Sequence, residues 1–229
     1  MVGVAVIVAL IYVAWETARW PSVAALATRP PRTTAFIERH RALEREAGRS
    51  ARVQWTWVPY GRIATSLKRA VVVAEDASFF AHRGFATAEI REAIDRAVRE
   101  FGLPRGASTI TQQLAKNLWL SPSRNPLRKA KEAMLTWQLE RALSKQRILA
   151  LYLNVVEFGP GVYGAEAASR RYFGKAAADL TDDEAAALAA GLPRPSVWHP
   201  DVQTRAYRRY VDDIRRRMER IALPVKQLE

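Results

Sequence analysis

From residue 63 to the end of this 229-residue chain, apolar side chains recur at three- and four-residue spacing, bracketed by helix-start and helix-stop signals. Such a chain buries its apolar surface by packing helix on helix. In "SLKRAVVVAED" (66–76), Leu67, Ala70, Val71 and Ala74 form a core-facing stripe, and Glu75 and Asp76 fall where that helix ends. Ser108 and Thr109 stand in N-cap position before "ITQQLAKNLWL", and Ser144 does so between "RKAKEAMLTWQLERAL" and "KQRILALYLN". Thr181 and Glu184 make a capping box, with Gly191 and Pro193 as the stop. A charged helix, "DVQTRAYRRYVDDIRRRMERI", closes the chain. Against these stands one convincing strand signal, the alternating "VQWTWVPYG" (53–61), terminated by Pro59. The expected fold is mainly α, with the helical domain over residues 53–229.

Upstream, "TAFIERHRALEREAG" (34–48) has helical spacing and ends at Gly48, after the Pro-containing spacer "RPPRTT". Residues 16–52 read as a connector with a short helix. Residues 1–15 carry no charged side chain. As a helix they would extend about 22 Å, short of a ~30 Å hydrocarbon core. A signal peptide cleaved near Ala25-Leu26-Ala27 and a buried core helix are alternative readings. No basic n-region precedes the run, which counts against a signal peptide, and all-round apolarity with the terminal position favours a membrane anchor whose start lies upstream of Met1.

Thirty-six Lys and Arg against 23 Asp and Glu give a net charge of +13. That surplus suits nucleic acid, anionic headgroups or phosphorylated substrates, and equally a set of solvated arginines. The basic tail is interrupted by acids and lacks a nucleic-acid motif with interleaved aromatics, so no nucleic-acid partner is expected. The chain has no cysteine, which excludes disulfides and thiolate catalysis. Its three histidines are too far apart in sequence for a transition-metal site.

The stretch "AEDASFFAHRGF" (74–85) sets two carboxylates beside two phenylalanines. It reads either as a solvated helix end or as an acid–base site, with the phenylalanines as a cradle that raises the Glu75 pKa. Thr109, Gln113 and Lys116 stand at i, i+4 and i+7, with Gln112 on the adjoining face. This is either a solvated face or a row of neutral donors ending in a cation, suited to an anionic, oxygen-rich ligand. Gly106, just before the cap, lets a ligand approach the helix N-terminus. In "RNPLRKAKE" (124–132), Arg124, Arg128, Lys129 and Lys131 concentrate charge near Glu132. Arg128 and Glu132 read either as a surface ion pair or as part of a site for a pyrophosphate and a divalent metal. "GPGVYG" (159–164) matches a dinucleotide fingerprint only formally, because it follows a helical run. Its glycines read as a tight turn carrying Glu157, Phe158 and Tyr163.

Five blocks in order resemble the peptidoglycan glycosyltransferases that polymerise lipid II, and most closely the monofunctional biosynthetic transglycosylases of Gram-negative bacteria. They are "EDASFFAHRGF", "RGASTITQQLAKNLWL", "RKAKE", "KQRILALYLN" and "VVEFGPGVYGAEAASRRYFGK". The resemblance spans about residues 53 to 195 and implies a lysozyme-like helical lobe with a small membrane-associated jaw lobe, preceded by an N-terminal transmembrane helix. It implies that Glu75 is the catalytic base, supported by Asp76, Phe79 and His82. Ser108, Thr109, Gln112, Gln113 and Lys116 would line the donor sugar and its pyrophosphate. Arg124, Arg128 and Lys129 would steady the leaving group, with Glu132 as the second essential carboxylate.

Gly106, Tyr152, Asn154, Gly159 and Gly164 belong to the matching motifs as structural positions, and Tyr152 and Asn154, with Lys145, would hold the helix packing. Ala150 departs from the pattern, since many relatives carry Glu there. The implied partners are lipid II, the lipid-linked nascent glycan, the membrane, and other cell-wall synthesis and division proteins. The resemblance admits a divalent cation, Mg2+ or Mn2+, met by Glu132 through the pyrophosphate, and implies no organic cofactor. It implies a single-pass protein of the inner membrane with its catalytic domain in the periplasm. A lysozyme-like lytic enzyme is the alternative, but cleavage needs no pyrophosphate site.

Overall fold

A computed structural model describes residues 20–85, 108–122 and 126–229. The described residues form nine α-helices: α1 (Ala35–Glu46), α2 (Thr65–Glu75), α3 (Ile110–Trp119), α4 (Pro126–Ala142), α5 (Lys145–Val155), α6 (Ala165–Phe173), α7 (Asp182–Gly191), α8 (Arg205–Arg220) and α9 (Val225–Leu228). The N-caps read from the sequence at Thr109, Ser144 and Thr181 are in place, and the structure adds one at Thr34: each accepts a hydrogen bond from a backbone N–H in the first turn of the helix that follows. The N-terminal run read as an anchor lies outside the described residues, and no helix among those described is long and apolar enough to cross a membrane.

Helix α5 is the centre. Every residue from Ile148 to Val155 is buried, as expected of a helix apolar on all sides. Helices α3, α4, α6 and α9 pack on it, while α2, α7 and α8 pack on one another. This pairing buries α2 more deeply than one stripe: Val72, Val73 and even Lys68 are inside, whereas Ala74 is only half-buried. The Lys68 ammonium donates to the Leu228 carbonyl at 2.8 Å and sits 3.9 Å from the Tyr60 ring centroid. Tyr60 donates to the Gln227 carbonyl at 2.7 Å, so a buried cation and a phenol together pin α9 to the body.

The strand expected over 53–61 is paired only at Gln54–Trp55 (β1). It runs parallel to Val162–Tyr163 (β3), which pairs antiparallel with Glu157–Gly159 (β2), giving a small sheet of order β1-β3-β2. Strands of two or three residues are too short to show alternation, which is why the "GPGVYG" turn had no visible strands around it. Asn154 staples this sheet to α5. Its side chain accepts from the Val58 N–H at 2.9 Å and donates to the Val58 carbonyl at 3.0 Å, while its own carbonyl accepts from the Trp55 indole at 2.7 Å.

Gly161, at φ +72°, makes the turn between β2 and β3, and Gly159 and Gly164 flank it where the chain is crowded. A Cβ on Gly159 would lie 1.8 Å from the Tyr172 hydroxyl, and one on Gly164 would lie 2.6 Å from the Asn154 carbonyl oxygen. Gly164 also has φ +81° and ψ 155°, a backbone region open essentially to glycine alone. Gly164→Ala is expected to lose at least about 2 kcal/mol of stability, from strain and overpacking together. An unchanged denaturant midpoint would contradict this account of the turn.

Residues 20–52 lie on the helical body. Val23 and Leu26 join its core, the Trp20 indole donates to Gln138 of α4 at 2.8 Å, and Arg147 of α5 donates to the Leu26 carbonyl at 2.6 Å.

Candidate active site

Glu75 ends α2 and Asp76 is its C-cap, and the neighbouring carboxylates enter different surroundings. Asp76 is buried and spent on structure. It accepts from the Ile110 N–H at 3.0 Å, at the start of α3, and pairs with His82 Nε2 at 2.9 and 3.1 Å. His82 Nδ1 accepts from the Gly84 N–H at 3.0 Å, which places the imidazole proton on Nε2, toward Asp76. Asp76 and His82 therefore tie the end of α2 to the first turn of α3. Phe79 underlies this joint, with its ring edge-on to His82 and 4.4 Å below the Lys145 ammonium.

Glu75 is half-buried and accepts from Gln113 Nε2 at 2.7 Å. Burial raises its carboxyl pKa above the ordinary range, and the Asp76 charge adds to the rise. The Gln113 hydrogen bond, Lys116 and Arg217 offset part of it. The Gln113 carbonyl oxygen accepts from the Tyr152 hydroxyl at 2.9 Å, and Tyr152 is fully buried on α5.

The row read along α3 divides. Thr109 and Gln112 form the capping box of α3: the Gln112 N–H donates to the Thr109 hydroxyl at 3.3 Å, and the Thr109 N–H to the Gln112 side chain at 2.9 Å. The Thr109 hydroxyl then donates to the Gly84 carbonyl at 2.7 Å, so both residues are engaged at the helix start. Ser108, just before them, is exposed. Gln113 bonds Glu75, and Lys116, one turn on, lies half-buried in the fields of Glu75 and Glu132. Burial depresses the Lys116 pKa, and the cations Arg128 and Lys129 push it the same way, while the two carboxylates oppose them.

Glu132 lies buried on α4, held by cations from the preceding turn of its own helix. Arg128 donates to one carboxylate oxygen at 2.6 Å and Lys129 to the other. The site thus holds a carboxyl pushed up by burial, a half-buried cation that interacts electrostatically with two carboxylates, and a second cationic group on α4. Such a set can take a proton from a hydroxyl and neutralise a departing anion. Arg124 and Gly106 lie outside the described residues.

Sequence reading missed two contributors, Arg217 and Tyr210. Both lie on α8 and interact electrostatically with Glu75. They sit some 140 residues downstream in a helix whose charge pattern reads as solvated, so no local signal marks them. It also missed the Thr111–Glu140–Lys145 cluster, in which Glu140 accepts from both Thr111 at 2.5 Å and Lys145 at 2.8 Å.

The family model described as Transglycosylase matches residues 40–219. A biosynthetic peptidoglycan transglycosylase of Thiobacillus denitrificans is 50% identical over 194 residues, covering 85% of this chain and 84% of the relative. Proteins of the same name from Laribacter hongkongensis and Bordetella avium are 44% identical over 194 residues and 41% identical over 226 residues. The match covers 85% of each of the two chains for the first, and 97% of this chain with 94% of the relative for the second. With the family pattern running from α1 into α8, through every described part of the site, the chain belongs to the transglycosylase family, the glycosyltransferases of peptidoglycan synthesis.

Proposed function

We propose that the protein polymerises lipid II into glycan strands by inverting transfer, with Glu75 as general base and Lys116, Arg128 and Lys129 meeting the charge of the leaving pyrophosphate. The observation that carries this reading is the placement of Lys116. One half-buried ammonium feels both Glu75 and Glu132, so it links the base to the cationic cluster on α4. Glu75 takes the proton from the acceptor GlcNAc 4-hydroxyl. That oxygen attacks the donor anomeric carbon, the bond to undecaprenyl diphosphate breaks, and the α linkage becomes β. Gln113 holds Glu75 through Nε2, and Glu132 aligns the Arg128 and Lys129 side chains. A lytic enzyme has no use for cations held at this point.

A resident divalent ion does not fit the described donors. Both Glu132 oxygens are taken by cations, and no group of three His, Asp or Glu that could hold a metal occurs among the described residues. Mg2+ or Mn2+ would enter with the pyrophosphate oxygens of the substrate. We further propose that the mainly helical body is the lysozyme-like lobe, that a jaw lobe touches the bilayer, and that the apolar run at residues 1–15 anchors the protein in the inner membrane with its catalytic domain in the periplasm. Other cell-wall synthesis and division proteins are its proposed partners. A lipid-borne substrate supports this location.

The test is incubation of the purified full chain with labelled lipid II in detergent, with and without Mg2+ or Mn2+. Polymer that dissolves on lysozyme treatment is the expected product. Its absence across several detergents, with a known polymerase active in parallel, would sink the proposal.

A further inference from the structure

Building on Glu75 as the base, we infer that Tyr152 is a positioning residue for it: the buried Tyr152 hydroxyl holds the Gln113 amide with Nε2 turned toward the Glu75 carboxylate. The two ends of a glutamine amide are nearly equal in size, so packing alone does not choose between them. A carboxylate only accepts hydrogen bonds. If the amide turned over, its oxygen would face Glu75 at the 2.7 Å now spanned by an N–H···O bond, and two acceptors would oppose each other. The Tyr152 hydroxyl, 2.9 Å from Gln113 Oε1, favours the productive orientation by donating to that oxygen. Its ring lies in the centre of α5 with no exposed surface, so rotation of the O–H is its one easy motion.

Burial, with the Glu75 and Asp76 charges, raises the phenol pKa well above its usual value, which keeps the donor protonated. The other titratable or charged groups that influence Glu75 are Lys116 on α3, Asp76 at the end of α2, and Arg217 and Tyr210 on α8. Tyr152→Phe leaves all of them in place.

The experiment compares wild type, Tyr152→Phe, Gln113→Ala and the double variant as full chains in detergent. The pH dependence of lipid II polymerisation is measured beside a direct titration of the Glu75 carboxyl by carbon-13 NMR, its signal assigned by its loss in Glu75→Gln. Tyr152→Phe should raise the carboxyl pKa, move the acid limb of kcat to higher pH and lower turnover about threefold to tenfold below that limb, with KM for lipid II little changed. In the Gln113→Ala background the same substitution should add nothing further. A carboxyl titration unmoved in Tyr152→Phe, or moved equally in both backgrounds, overturns the positioning role. If the carboxyl shifts while the rate limb stays, Glu75 is not the base, and the Tyr152–Gln113 link stands without it. Gln113→Ala alone should shift both readouts upward, which keeps the link testable if Tyr152→Phe fails to fold.

Discussion

Glu75→Gln is expected to lower lipid II polymerisation by roughly 10²–10⁴-fold, the contribution of a positioned general base. The amide is nearly isosteric and can still accept from Gln113 Nε2, so the loss should appear in kcat, with substrate binding largely intact. Stability should not fall. Burial penalises the Glu75 carboxylate, and a neutral side chain in its place removes that penalty. A thermal midpoint at or above wild type, together with loss of turnover, would separate a catalytic role from a structural one. Near-normal turnover would remove Glu75 from the mechanism. In the native enzyme the base works only when deprotonated. The upward shift therefore moves the acid limb of the rate profile to higher pH than an ordinary glutamate would give.

Lys116→Met should be the next most damaging change, with two separable effects. Removing the cation takes away stabilisation of the departing pyrophosphate. A unit charge about 4 Å from a phosphate charge is worth roughly 4 kcal/mol at an effective dielectric near 20, so a loss of about 10²–10³-fold in kcat is expected. Lys116 also lowers the Glu75 pKa. Without it the carboxyl pKa rises further, and the acid limb moves to still higher pH. Single-turnover rates measured across pH distinguish the two effects: the first lowers the plateau and the second displaces the limb. Lys116→Arg keeps the charge and should recover part of the plateau. If Lys116→Met kept the wild-type plateau, the lysine would not be at the leaving group.

Helix content and helix starts were legible because both are local. A threonine or serine that caps a helix does so through atoms three residues away, so Thr109, Ser144 and Thr181 could be read from their neighbours alone. The small sheet was not legible, because two- and three-residue strands leave no alternation and the β1–β3 pairing joins residues about a hundred positions apart. The same limit hid the burial of Lys68, whose partners Tyr60 and Leu228 lie at opposite ends of the domain.

For the site, the chain alone supplied the candidates, since spacing on one helix face and the matching motifs pick out Glu75, Gln113, Lys116, Arg128 and Glu132. Only the tertiary structure separated their tasks. Asp76, adjacent to Glu75, turned out to be the joint between α2 and α3, because a carboxylate at a helix end bonds whichever orphan N–H the fold brings to it. Thr109 and Gln112 were drawn into the cap for the same reason. Tyr152 and Arg217 reached the Glu75 environment because α5 and α8 fold back across a long stretch of chain. Residue type and helical period are properties of the chain, whereas burial, hydrogen-bond direction and proton affinity depend on what lies within a few ångströms, and that is decided when the helices pack.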